Sequence, residues 1–444
     1  MTARVRACAP AAQQGQALVL GMLLAGAAMV VLIRYFAVGQ VIGAKARQLH
    51  ALDAAAYSGA LIQARALNML AYINRAHVGH QLAMAHLVTL GSWASLGGAQ
   101  AGQWAAGNPP AHLIAMLFGP EHGAAYRAAG KASGFGGLSM PQAELARAYG
   151  GHDDVVRNVL NTVQDVIVSG LPEARRQAMQ AVLARNYPKH AAGPGGFDLQ
   201  VDDDNWPGYV QRHSGQGELR SLVQAVTRHY GFLGPRNTTA SNNWVVDGRC
   251  PGLRHQLRRR GTTELDAQGR WQSIDTQSFH ALRSNRWIGC YYREYAMGWG
   301  WIPSALTQTI GQPHVDDPPA DFAAQDFWRW VKEATDWDIT SDSANPLANS
   351  RAVSSRRRWQ GGGLPTYFDV PAGQYGRPLG FAVRLRQPGP DGLTVTARSA
   401  AETFFSRPEA RSDGRREQDN LFHPYWQARL ADPARAAQPA GGQP

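Results

Sequence analysis

The sequence predicts an α+β protein: a single N-terminal transmembrane helix continuing into a long Ala-rich helix, a helical bundle, then a β-rich C-terminal domain. Three observations lead there. Residues 17–33 carry no charged or strongly polar side chain, close to the length of a bilayer span. Ala and Leu dominate the next stretch at helical spacing, as far as about Trp93. Beyond about residue 197, aromatic and β-branched residues come in short runs separated by turn signals.

Composition limits the function classes. The 444 residues suffice for a sizeable core, and 44% hydrophobic residues exclude broad disorder, while 48 Gly and 26 Pro mark many loops. A net charge of +11 favours anionic partners such as phospholipid headgroups, lipopolysaccharide, nucleic acid or an acidic protein. The densest basic clusters, Arg258–Arg260 and Arg356–Arg358, are three residues long. With no zinc-finger spacing or RNP-like motif, no nucleic-acid partner is predicted.

Residues 1–14 read as a cytoplasmic tail and 15–42 as the anchor, with Ala17, Leu18, Leu20, Leu23, Leu24, Val30, Leu32 and Ile33 in lipid. Arg34 can snorkel to the headgroups beside Tyr35 and Phe36 at the interface. A competing reading is a cleaved signal peptide, for which Ala37-Val38-Gly39 offers a small-x-small site. Arg4 and Arg6 precede the span while Arg34, Lys45 and Arg47 come after it, a bias slightly against an internal N-terminus. Long domains translocate largely regardless of such charge. The short tail and the later cysteine pair favour a single-pass protein of a bacterial inner membrane, its large C-terminal part periplasmic. Ala111–Phe118 is too short for a second span, and Val155–Leu171 carries Arg157 and Asp165.

An extended periplasmic helix is predicted over 43–98, with Ala56, Ala60, Ala64 and Leu67 on one face and Gly39, Gly43, Gly59 and Gly79 as possible kinks. Its natural end is the Gly-rich stretch 91–98. Residues 99–196 form a helical region: one amphipathic helix through Val155, Val159, Val163 and Ile167, and another from Pro172 to Tyr187 with Pro in its first turn. These can pack back on the long helix as an antiparallel bundle. In the β-rich domain, 197–431, the strand candidates are 244–246, 271–274, 366–370, 381–385 and 393–397, with 386–392 as a hairpin connection. Phe322–Trp337 reads as a helix, Asp202–Asp204 as a surface turn, Phe422–Trp426 as a strap on the domain, and 432–444 as a disordered tail. Cys250 and Cys290 form an even pair, a disulfide in an oxidising compartment or two free thiols otherwise.

A family resemblance rests on Gly15-Gln16-Ala17-Leu18-Val19-Leu20, Gly39-Gln40-Val41 and Lys45-Ala46-Arg47, leading into Leu52-Asp53-Ala54-Ala55-Ala56-Tyr57-Ser58-Gly59-Ala60. These residues resemble the TadE/TadG-like proteins of Flp (Tad) pilus assembly, whose anchor is followed by a similar Ala-Asp-Ala-Ala-Ala segment. Ala64–Asn68, Ala71–Ala76 and the ending Asn420–Leu430 are similar to a TadG-related subgroup. The likeness covers roughly 14–93 and 398–430. It implies a membrane-anchored structural or assembly component of a Flp (type IVc-like) pilus or related secretion apparatus, with pilus-assembly subunits and inner-membrane lipid as partners. Two positions depart from the family pattern. Leu20 stands where prepilin-like members cut after a Gly such as Gly15 carry Glu. Asp338–Asp342 lacks the Ser residues of a von Willebrand-type metal site, so no metal is predicted.

Five polar or aromatic residues on the Ala-rich helix, Asp53, Tyr57, Asn68, Asn74 and Arg75, are candidates for partner-helix contacts, including a helix-mediated oligomer, and Asn68, Asn74 and Arg75 also read as a polar seam for backbone contacts. A solvated helix face is the plainer account of Asp53, and an ordinary surface position accounts equally well for Asn68, Asn74 and Arg75. No Gly-x-Ser-x-Gly elbow, His-Glu-x-x-His or Walker loop occurs. His314, Asp316 and Asp317 adjoin Pro318-Pro319 and read as an exposed loop. Trp299, Trp301, Trp328 and Trp330 read as core before they read as a glycan platform. No cofactor is predicted, and docking is expected rather than catalysis. The alternatives are a membrane-anchored periplasmic enzyme of the cell-wall hydrolase kind and a secreted binding protein.

Overall fold

A computed structural model describes residues 14–131, 134–188, 197–286, 289–304 and 345–433. The described residues are mixed, 50% helical and 24% strand. Its first element, α1 (Gln14–Ala105), is one unbroken helix of about 140 Å. It passes through Gly91 and Gly98, where the sequence predicts its end. Glycine costs about 1 kcal/mol in a helix interior. Here neighbours fill the space that a side chain would occupy. A Cβ on Gly91 would lie 2.5 Å from the Trp359 ring, and one on Gly98 would lie 2.8 Å from Gly136 Cα. Burial of Trp359 outweighs the propensity loss.

The chain forms two compact units, each discontinuous in sequence. One comprises Met1–Met69, Val168–Val210 and Val370–Pro444; the other comprises Leu70–Ile167 and Gln211–Asp369. The boundaries cut across the sequential domains predicted above, because long helices contribute residues to both.

In the first unit, strands β1 (Asp198–Asp204), β8 (Leu379–Pro388), β9 (Thr394–Phe405) and β10 (Trp426–Ala431) form an antiparallel sheet in the order β1-β8-β9-β10. The Ala stripe of α1 lies on it: Ala51, Leu52, Ala55, Ala56 and Ala60 pack with Phe381, Val383, Leu385, Ala397 and Ala401. Small side chains let the helix approach the sheet closely, so the stripe forms a helix-on-sheet layer. Asp202, Asp203 and Asp204 lie on β1, not in a turn, and each pairs with an arginine: Asp202 with Arg384 and Arg398, Asp203 with Arg398, Asp204 with Arg175. The strap is a true strand end, since Trp426 begins β10 opposite Phe405 and is 3% exposed.

Helix α5 (Asn161–Asn186) also joins this core through Met179 and Leu183. Pro172 lies inside it, where a break was predicted. A proline cannot donate to the carbonyl four residues earlier. That carbonyl, Val168 O, accepts the indole N–H of Trp206 at 3.2 Å instead, so the helix continues with its freed acceptor satisfied.

The second unit carries the antiparallel sheet β3-β4-β5-β6 (Thr238–Ser241, Gln256–Leu265, Trp271–Asn285, Gly289–Ile302). Helix α2 (Ala111–Phe118) buries Ile114, Leu117 and Phe118 against Leu257, Phe279 and Met297 of this sheet, and α3 (Pro120–Gly130) adds Tyr126 to the same cluster. Helix α4 (Glu144–Asp154) reaches α5 through a π-helical turn over Val155–Leu160. Beside that turn, Arg157 donates to Gly363 O and Asp153 accepts from Gly362 N. Helix α6 (Glu218–Thr227) buries Leu219 and Val223. A two-stranded ladder pairs β2 (Gln211–His213) with β7 (Tyr367–Asp369). Cys250 and Cys290 are joined by a disulfide across 40 residues.

Residues 244–246 are not a strand. The Asn242 amide donates to Trp244 O and accepts from His255 N, local bonds that replace a ladder. Trp299 and Trp301 lie on β6 under Arg351 and Arg356. The predicted helix at 322–337, the string at 338–342, the loop with His314, Asp316 and Asp317, Trp328 and Trp330, and the tail beyond 433 lie outside the described residues, as does the N-terminal segment before residue 14.

Candidate functional site

Among the described residues, none buries the apolar end of α1. Ala17 and the larger side chains Leu18, Leu20, Leu23, Leu24, Val30, Leu32 and Ile33 are all exposed, the latter seven by 58–67%. Its best window has a mean hydropathy of 2.3 and is 0% buried. Burial begins only at Gln48. Leaving one such side chain in water forfeits roughly 1.5–3 kcal/mol, and a helix apolar on every face calls for an apolar solvent. Among the described residues, this is the one helix long and apolar enough to cross a membrane.

Past the apolar end, α1 changes role. Several of its polar residues fall on the face that carries its buried alanines and leucines and bond to strands of the same chain. Gln48 donates to Leu385 O at 2.9 Å and Val395 O at 3.2 Å. Asp53 accepts from Ser399 Oγ at 2.6 Å. Asn68 brackets Trp426, donating to its carbonyl and accepting from its N–H, both at 3.0 Å. In the second unit, Asn74 donates to Phe368 O at 2.8 Å and accepts from Gln164 at 2.7 Å, while Gln81 accepts the indole N–H of Trp271 at 3.0 Å.

Asp53 is therefore tied to β9 of its own chain and not to a partner helix, while Asn68 and Asn74 make backbone contacts, one of the two roles read from the sequence, because buried groups of β10 and β7 need those partners. Tyr57 and Arg75 are exposed and remain available. Gln48, Gln81 and Ser92 were missed. Their signal was legible: glutamine and serine at helical spacing on an otherwise apolar face.

No protein-family model, curated protein or solved structure matches this chain. The geometry alone must therefore say what its buried chemistry can do.

The densest buried titratable group lies in the second unit. Ser278 Oγ is 2.9 Å from His280 Nε2, and Glu294 Oε1 is 4.0 Å from the same nitrogen. All three residues are 0% exposed. A relay for nucleophilic catalysis needs the acid on the far ring nitrogen and the hydroxyl open to substrate; neither holds. Glu294 instead accepts the N–H groups of Leu347 at 2.7 Å and Ala348 at 3.2 Å, at the start of α7 (Pro346–Ser354). A carboxylate there satisfies the orphan donors of a helix N-terminus. Among the described residues, no cluster of three His, Cys, Asp or Glu side chains could hold a metal.

Burial pushes the Glu294 carboxyl up to about 7, against lowering by those two N–H groups, Ser278 and Arg258. A carboxyl whose folded pKa lies above its unfolded value of 4.5 binds its proton more tightly when folded. Its contribution is thus full below pH 4.5 and lost as pH rises toward 7. Burial and Arg258 push His280 down, which acts in the opposite sense. The difference between the wild type and Glu294→Gln isolates the carboxyl. Denaturant melts from pH 4.5 to 7.5 should show wild type losing about 3 kcal/mol relative to the variant. Parallel curves for the two proteins would refute the assignment.

Proposed function

We propose that this chain is a membrane-anchored structural or assembly component of a Flp-type pilus or related secretion apparatus, working by docking rather than by chemistry. The observation that carries this reading is the bare apolar end of α1, continuous with a helix whose next segment is packed into a folded body. Such a helix holds that body within reach of the bilayer. The order of the motifs along 14–93 and 398–430, which resembles TadG-related proteins, directs the proposal toward pilus assembly.

The large part lies in the periplasm on this reading. Support comes from the Cys250–Cys290 disulfide, since such bonds persist in oxidising compartments. The partners are pilus-assembly or secretion-machine subunits together with inner-membrane lipid, and Tyr57 and Arg75 are the exposed α1 residues offered to them.

Affinity capture of the tagged full chain from detergent-solubilised membranes of its own bacterium tests the proposal. Pilus-machine subunits should co-purify, and a Tyr57→Ala/Arg75→Ala chain should recover fewer of them. Recovery of the intact chain from membranes with none of those subunits enriched would sink the pilus reading while leaving the anchor standing.

A further inference from the structure

We infer that the β8–β9 hairpin, together with the stretch of α1 beside it, is a binding surface for anionic phospholipid headgroups. The inference rests on the reading that residues 15–42 anchor the chain in the membrane, and every residue in it belongs to the first unit.

Contacts along α1 set the direction of the hairpin. Gln48 meets Leu385 and Val395, Asp53 meets Ser399, and Ala60 O accepts from Thr403. Strand β9 therefore advances along α1 away from the apolar end, and the turn joining β8 to β9 sits at the end nearest the membrane. Pro388, Gly389 and Pro390 line a cleft with Ala44 and Arg47. Ala44 lies two residues past Ile42, where the anchor ends, about 3 Å along the helix. That is within the headgroup layer.

The side chains at this level suit that layer. An open groove of about 600 Å³ is lined by Lys45, Leu49, Arg384, Arg386, Thr396 and Arg398, among others. Among the described residues, β10 pairs with β9 only from Ala400 onward, and no described strand lies beside Thr394–Ser399 on that side. Arg384 and Arg398 are bonded to Asp202 and Asp203, and Asp198 stands opposite Arg386 in the ladder. Lys45, Arg47 and Arg386 are exposed. Five cations thus face three carboxylates.

At the turn itself Leu393 is 55% exposed. The turn also holds Asp391, which leaves five cations against four acidic residues; an exposed apolar side chain beside excess cations is the composition of interfacial membrane contacts. Juxtamembrane Lys and Arg are drawn to anionic lipid by about fivefold each. Nucleic acid or an acidic protein would match the charge alone. The leaflet from which α1 emerges matches charge, apolar tip and position together.

The test uses the full chain with Cys8→Ser and Leu393→Cys, labelled at residue 393 with bimane and placed in nanodiscs. One set contains phosphatidylcholine alone, and the other about one third phosphatidylglycerol. Acrylamide quenching of the label should fall severalfold in the anionic discs. The protection should fade with added salt and be lost in Lys45→Gln/Arg386→Gln, whose side chains are exposed. Arg386→Lys should retain it.

Equal quenching in the two lipids, by chains that co-elute with the discs, overturns the headgroup surface and leaves the anchor intact. So does equal protection when inorganic phosphate is added to phosphatidylcholine discs. Chains that elute apart from every disc overturn the anchor, and this inference with it.

Discussion

Chains carrying both Leu24→Arg and Val30→Arg are expected to leave the membrane fraction. Both positions lie within about 7 Å of the midpoint of the 15–42 anchor, and both side chains are bare, at 62% and 58% exposure. An arginine near the centre of a span costs roughly 2.5–3.5 kcal/mol on an insertion scale. Two together cost about 6 kcal/mol, or roughly four orders of magnitude in partitioning. Snorkelling relieves little of this, because neither position is close to a headgroup layer. Carbonate extraction separates the outcomes. Wild type and Leu24→Ala/Val30→Ala should remain in the pellet, and the arginine pair should appear in the supernatant or be degraded. Retention of the arginine pair would mean that something other than this helix holds the chain to lipid.

The second large effect is expected deep in the second unit, where Arg236 and Asp275 form a buried pair. Arg236 Nε and Nη2 donate to the two carboxylate oxygens at 2.8 and 2.9 Å, and their side chains are 8% and 0% exposed. The guanidinium also donates to Phe232 O, Gly234 O, Thr263 Oγ1 and Ser273 Oγ. Ser92 of α1 completes the carboxylate at 2.8 Å.

Burial raises the Asp275 carboxyl, and Arg236 and Ser92 pull it back; the charge is tolerable only while the partners remain. Asp275→Ala strands the guanidinium in the interior, a loss of about 3–5 kcal/mol that should lower the melting temperature by roughly 10 °C. The paired replacement Arg236→Met/Asp275→Leu removes both charges and should recover most of that loss. A single variant as stable as wild type, or a double variant no better than the single, would show that the network is not the brace described.

How much of this was legible in the sequence depends on the kind of interaction. The disulfide partners Cys250 and Cys290 were the two candidates read from cysteine arithmetic. The hairpin connection at 386–392 was legible from Pro and Gly beside alternating apolar residues, and β8 pairs with β9 across it. Asn68 and Asn74 stood out as polar residues on an apolar helix. Their partners, Trp426 and Phe368, lie hundreds of residues away, and a one-dimensional pattern carries no record of such a pairing. The same is true of Glu294, whose place in β6 gives no hint that it caps a helix starting at Pro346.

By itself, the sequence determined the long apolar run at the N-terminus, the helical character of the Ala-rich stretch after it, and the strand-rich character of the C-terminal half. All three arise from local properties: hydropathy, propensity and spacing of neighbours along the chain. Only the tertiary structure decided that α1 would run on to Ala105, that α5 would pass through Pro172, and that the two compact units would each be built from separated stretches. Glycine and proline weaken a helix locally by about 1–3 kcal/mol, but the aromatic ring seated on Gly91 and the indole bond to Val168 offset that weakness. Those contacts come from residues distant in sequence, so the outcome is settled in space and not along the chain.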